Sequence, residues 1–186
     1  MRHRIGWDFT NLDGILESSP VMLSVSPGLV ALNVALDELG NGEEGANNDG
    51  PHVQRYRGGK AAPDDGGSWC ADFVFFCCAE AYKRLGVKTP FKRSRGAKKL
   101  FRHISLAGSV VDPPQPGDVV LFERGKPGDW RGHIAICERV VSDKEIVTIE
   151  GNVGRYPAVV KRVDRRTDDP AVLGFCRLPI SGEALL

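Results

Sequence analysis

The sequence lacks any CxxC pair. Its five cysteines, at 70, 77, 78, 137 and 176, are odd in number and unpaired in spacing, which argues against both a disulfide framework and a zinc site. It also lacks an excess of either charge. Twenty-five Lys and Arg face 24 Asp and Glu, so no overall field favours nucleic acid or an anionic membrane, and no nucleic-acid partner is expected. Long apolar runs are missing too. The N-terminal stretch begins basic but holds no uninterrupted apolar core, and Val21 to Val30 is broken by Ser24, Ser26, Pro27 and Gly28. Neither a signal peptide nor a membrane span is expected, so no stable membrane insertion. Free thiols without an export signal fit synthesis in a reducing cytoplasm. There is no internal repeat and no low-complexity tract.

What is present is an ordinary globular composition, 41% hydrophobic and 26% charged over 186 residues, enough to bury one core. Residues 1–28 lack a clear period and form an N-terminal extension to which the sequence assigns no role. Residues 29–186 then read as one domain. Leu29 to Leu39 repeats apolar residues at helical spacing and stops at Gly40. Residues 40–68, rich in Gly, Asn, Asp and Pro, read as a long loop. From Ser68 to Leu85 the chain is apolar nearly all round, which predicts a central buried helix ending at Gly86, with Cys70 in its first turn. A basic surface helix is expected from Phe91 to His103. Short strands are expected over 119–123, 133–140, 145–150, 159–163 and 172–178. Helices followed by strands predict an α+β domain with helices packed against an antiparallel sheet.

The chemistry is suggested by Cys70. The N–H groups that open a helix have no intrahelical partners, and their dipole favours an anion, so a thiol in the first turn ionises more easily. A base must come from four histidines. His3, His52 and His103 fall in a terminus, a loop and a basic surface stretch, whereas His133 opens a strand whose Ile-Ala-Ile-Cys runs into the core. The next strand follows through Val141-Ser-Asp-Lys-Glu145, and a turn centred between 142 and 143 pairs residue 133 with residue 152. Residues two apart share a face, so His133, Glu150 and Asn152 project together, and either Glu150 or Asn152 can orient the imidazole. A nucleophile, a base and an orienting side chain make the thiol counterpart of a serine triad.

With these residues in place the sequence resembles a known family. Trp69-Cys-Ala-Asp-Phe-Val74, Pro116-Gly-Asp-Val-Val-Leu-Phe122, Gly132-His-Ile-Ala-Ile136 and Ile149-Glu-Gly-Asn152 resemble the blocks of CHAP-type cysteine peptidoglycan hydrolases, found in phage lysins and bacterial wall enzymes. Glu38 to Glu44 and Asn47 to Gly50 resemble the N-terminal part of such domains. The resemblance spans roughly residues 30–178 and implies a papain-like fold and hydrolysis of an amide bond in the peptide stem of peptidoglycan, by an endopeptidase or an N-acetylmuramoyl-L-alanine amidase. It implies Cys70 as nucleophile, His133 as general base and acid, Glu150 as orienter and Asn152 as polar helper. Some relatives carry a calcium-binding acidic loop before the cysteine, which Ala61 to Ser68 matches poorly, so no calcium or other cofactor is expected.

Other readings stand beside these. Cys77, Cys78, Cys137 and Cys176 lie among apolar residues and are assigned to the core. Trp69, Trp130 and Asn48 are candidate substrate-binding residues, though a ring flanking a core is an equal account of the tryptophans. The basic stretch 92–102 reads as a solvated helix face, because no aromatic platform recurs in it. The same scaffold also suits a papain-like thiol peptidase or deamidase acting on a protein, or a non-catalytic wall-binding or virion module. Bacterial peptidoglycan is the expected partner, reached after lysis, by virion delivery or by secretion without a leader. The sequence sets no oligomeric state.

Overall fold

The structure is a computed structural model that describes residues 26–63 and 67–180; the N-terminal extension expected over 1–28 lies almost entirely outside the described residues. Four helices come first, α1 (Pro27–Asp37), α2 (Pro51–Tyr56), α3 (Cys70–Arg84) and α4 (Ala97–Ala107). Six strands follow, β1 (Ser109–Val111), β2 (Val119–Glu123), β3 (Gly132–Ser142), β4 (Glu145–Val153), β5 (Val159–Arg166) and β6 (Val172–Arg177). They form one antiparallel sheet in the order β1-β6-β2-β3-β4-β5. The architecture is α+β, as the order of elements in the sequence predicts. Two elements were not expected: α2, a six-residue helix that starts on Pro51 inside the Gly- and Asn-rich loop, and β1, a three-residue edge strand.

Alternation along the strands divides the core in two. Val119, Leu121, Ile134, Ile136 and Ile149 face the helices and pack with Phe73, Val74, Cys77, Cys78 and Leu100. Val120, Phe122, Ala135, Cys137, Ile146 and Phe175 form a second, smaller cluster. Helix α3 is buried along most of its length because its sequence is apolar on nearly every side.

Buried polar contacts fix the start of α3. Asp72, in its first turn, pairs with Arg57 at 3.5 Å and with Arg93 at 2.9 Å. Arg57 also donates to the carbonyls of Asn48 and Gly67, each at 2.6 Å, so the loop leading into Cys70 is tied to the helix. Glu43 works from the other side. One carboxylate oxygen accepts from the indole N–H of Trp69 at 3.0 Å and the other from the backbone N–H of Ala158 at 2.8 Å.

The hairpin of β3 and β4 turns at Ser142 and Glu145, one residue later than the sequence suggests. Two bulges on β3, between Cys137 and Arg139 and between Val140 and Ser142, shift the register back. Ile136 therefore lies opposite Ile149, the same register that pairs 133 with 152.

Strand β4 approaches α3 at Gly151. A Cβ there would stand 2.8 Å from Phe73 Cβ and Cγ and 2.8 Å from Trp69 Cζ3, atoms held inside the core. Gly151→Ala must push β4 and α3 apart. It is expected to lower stability by about 1–3 kcal/mol, the usual cost of overpacking, as measured by the urea midpoint. A wild-type midpoint would contradict the close approach.

Candidate active site

Cys70 is the first residue of α3, and no side chain caps that helix end, so the opening N–H groups are left to favour negative charge on the sulfur. His133 is the second residue of β3 and is buried beside Phe122, its partner across the β2–β3 ladder, with ring centroids 6.1 Å apart. The helix start and the strand start meet at one margin of the sheet. The thiol and the imidazole lie close enough there for each to shift the other's titration.

The other side of the ring is fixed by Glu150. Its Oε2 lies 2.7 Å from His133 Nε2. Arg165 Nε and a terminal guanidinium nitrogen each donate to one oxygen of Glu150 at 2.7 Å, and the Thr148 hydroxyl donates to Oε1 at 2.7 Å. Burial pushes the Glu150 carboxyl up, but His133, Arg165 and Thr148 outweigh it and hold it at about 2. An ionised carboxylate only accepts, so Nε2 must carry a proton. In the neutral ring the lone pair then sits on Nδ1, which is buried and has no conventional hydrogen-bond partner among the described residues. Nδ1 is thus the nitrogen available to the thiol.

Titration follows from this arrangement. Burial pushes the Cys70 thiol up, but the nearby His133, with Arg124 and the Ile134 N–H adding to its effect, brings it below its ordinary value. Burial pushes His133 down, and Cys70 and Glu150 together raise it above its ordinary value. The other cysteines behave oppositely. Burial raises all four, Cys137 and Cys176 to about 12. An acidic thiol next to a basic imidazole with a fixed tautomer can exchange a proton and attack a carbonyl.

The sulfur borders a cleft of about 360 Å³ whose rim includes Trp130, Arg124 and Arg131. Trp130 is 83% exposed there. Trp69 is not part of this rim. It is fully buried, stacked on Tyr56 with centroids 5.6 Å apart and edge-on to Phe73, so its expected place in a substrate groove gives way to a core role. Asn48 does not line the cleft; its carbonyl holds Arg57. Asn152 is half-buried in a left-handed conformation (φ 63°), at a β4–β5 register shift, and its side chain bonds no described residue. Glu150, not Asn152, is the group on the ring. His52 lies in α2 and His103 in α4, while His3 lies outside the described residues. Of the stretch considered for calcium, residues 64–66 are outside the described residues, and no group of three or more His, Cys, Asp or Glu among the described residues is placed to hold a metal.

Sequence reasoning missed Arg165 and Thr148. Thr148 was findable, being two residues before Glu150 on the same strand face. Arg165 pairs across the ladder with Ile146, and its reach to Glu150 depends on a β4–β5 register that no motif marks.

The α+β fold sets a cysteine at a helix start near a histidine and a glutamate on adjacent strands. Among known families, residues 62–152 match the family model of the CHAP domain, so this part of the chain is similar to CHAP-type domains. That family is one of peptidoglycan hydrolases, amidases and peptidases. Comparison with curated proteins gave no match. Among solved structures, one described as "The crystal structure of Ly7917" is similar at 17% identity and a TM-score of 0.46, over 84% of this chain and 64% of that one, which is under two thirds of its length. No helix among the described residues is long and apolar enough to cross a membrane.

Two outcomes are expected. Iodoacetamide near neutral pH alkylates Cys70 alone, with an acid limb below the ordinary thiol value of 9.0, and His133→Ala moves that limb upward. Equal labelling of the other cysteines in the folded protein would count against the site. For stability, a depressed carboxyl contributes fully above its ordinary 4.5 and loses that contribution as pH falls towards about 2. His133 has the opposite sign, contributing fully below 6.5 and losing its contribution as pH rises through its higher folded value. The urea midpoint of the wild type should therefore fall more steeply below pH 4.5 than that of Glu150→Gln.

Proposed function

We propose that the protein is a cysteine-dependent peptidoglycan hydrolase that cleaves an amide bond of the peptide stem through a covalent acyl-enzyme. The observation that carries this reading is the buried 2.7 Å contact between His133 Nε2 and a Glu150 held ionised, which leaves Nδ1 as the basic nitrogen near a thiol whose pKa is lowered. The CHAP match supports peptidoglycan as the substrate class.

In this mechanism Nδ1 takes the Cys70 proton, and the thiolate attacks the scissile carbonyl carbon. The oxyanion is stabilised by the uncapped N–H groups that open α3. The tetrahedral intermediate collapses as the Nδ1 proton passes to the leaving amine, which leaves a thioester on Cys70. Water gives a proton to Nδ1 and attacks the thioester. The second collapse releases the carboxylate product and restores the thiol. Glu150 stays ionised throughout and stabilises the imidazolium, as the buried acid of a serine triad does. Arg165 and Thr148 position Glu150 in turn, and Trp130 offers the substrate an exposed ring at the cleft rim. Asn152 is assigned the role of polar helper, reached by the substrate rather than by the ring. The enzyme meets its substrate at the cell wall.

Purified peptidoglycan digested with wild type should release fragments identifiable by mass spectrometry. New amino termini within the stem mark an endopeptidase, and sugar strands freed of stems mark an amidase. Cys70→Ser and His133→Ala are each expected to abolish release with an unchanged circular dichroism spectrum, and Glu150→Gln to lower kcat by up to about 10⁴-fold. Release by Cys70→Ser at the wild-type rate would overturn the mechanism.

A further inference from the structure

The cleft beside Cys70 carries charge of one sign. Arg95, Arg124 and Arg131 border it, and no Asp or Glu is among its described lining residues. The neighbouring cations are mostly engaged. Arg131 is held by Asp129, with Nε to Oδ2 at 3.0 Å, and Lys98 is held by Glu123 and by the Asp129 carbonyl. Arg124 differs. It follows the last residue of β2, is exposed, and pairs with no carboxylate among the described residues. Its charge reaches the Cys70 sulfur. A guanidinium that pairs with no described carboxylate, at the mouth of a cleft whose described lining residues carry no negative charge, presents a planar fork matched to a carboxylate.

We propose that this cleft is an anion subsite, with Arg124 binding a free carboxylate carried by the substrate next to the scissile amide. The substrate assignment rests on the hydrolase reading above; the anion subsite itself does not. The site therefore distinguishes a stem peptide with a free carboxylate beside the cleaved bond from the same peptide bearing a carboxamide. Trp130, exposed on the same rim, offers an apolar face to the remainder of the residue.

The test has two arms, both on the full chain. In the first, Cys70 is alkylated in parallel with iodoacetate and with iodoacetamide at low ionic strength. Both reagents react with the same thiolate, so the ratio of their rates cancels any change in the thiol pKa and reports the local field alone. Relative to an unstructured cysteine peptide, the iodoacetate/iodoacetamide ratio should be raised several-fold, should fall on adding salt, and should drop in Arg124→Ala while Arg124→Lys retains part of it. A wild-type ratio equal to the peptide's, or one unaltered in Arg124→Ala, overturns the subsite. In the second arm the substrate is peptidoglycan with its stem carboxylates free, or the same material with them converted to carboxamides. Wild type should favour the free form by about tenfold in kcat/KM, the scale of one charge-assisted hydrogen bond, and Arg124→Ala should lose that preference. Equal cleavage of both walls overturns the carboxylate assignment. Cleavage of neither overturns the hydrolase reading, and the alkylation ratio then decides the subsite by itself.

Discussion

A buried carboxylate that must stay ionised governs the architecture of this protein. Glu150 is fully buried, and an isolated charge so placed would cost several kcal/mol after relaxation. Three donors offset that cost: the Arg165 guanidinium, the His133 ring and the Thr148 hydroxyl. The guanidinium is itself steadied over the face of Phe122 at 4.7 Å, and Phe122 flanks the imidazole. Arginine, ring, carboxylate and ring thus brace one another, and the tautomer of His133 follows without any contribution from solvent. Everything proposed for Cys70 depends on that tautomer.

Cys70 is delivered to this frame by separate devices. Asp72 with Arg57 and Arg93 secures the first turn of α3, Glu43 secures Trp69 immediately before it, and Gly151 lets β4 pass close enough for the strand and helix margins to meet. The glycine in Ile149-Glu-Gly-Asn152 is therefore a packing requirement, as much a part of the site's geometry as the glutamate before it.

Much of this was legible in the sequence because it rests on local pattern. Apolar runs at helical spacing located α1 and α3, β-branched runs between turn residues located five strands, and the polar residue at the mouth of an apolar helix singled out Cys70. The pairing of His133 with the Glu150 face also followed from counting, although the turn lies one residue later and two bulges restore the register. What stayed hidden depends on distant partners. Trp69 is core because Glu43, 26 residues earlier, supplies an acceptor for its indole N–H. Arg165 reaches Glu150 across a strand pair whose alignment no motif encodes. Helix α2 is too short, and β1 too near the edge, for periodicity to register.

The segment after α1 also has a bearing on how the molecule behaves among its neighbours. Gly40 and Glu43 donate to the carbonyls of Val160 and Ala158, and Val160 donates to the carbonyl of Asn41, so this stretch is laced along the outer side of β5. A sheet margin with open backbone groups invites a strand from another chain and, through it, aggregation. Here the start of that margin, from Ala158 to Val160, is already occupied, and the opposite one is the three-residue β1. At that covered stretch the sheet that carries the histidine and the glutamate therefore offers no open template for intermolecular strand addition.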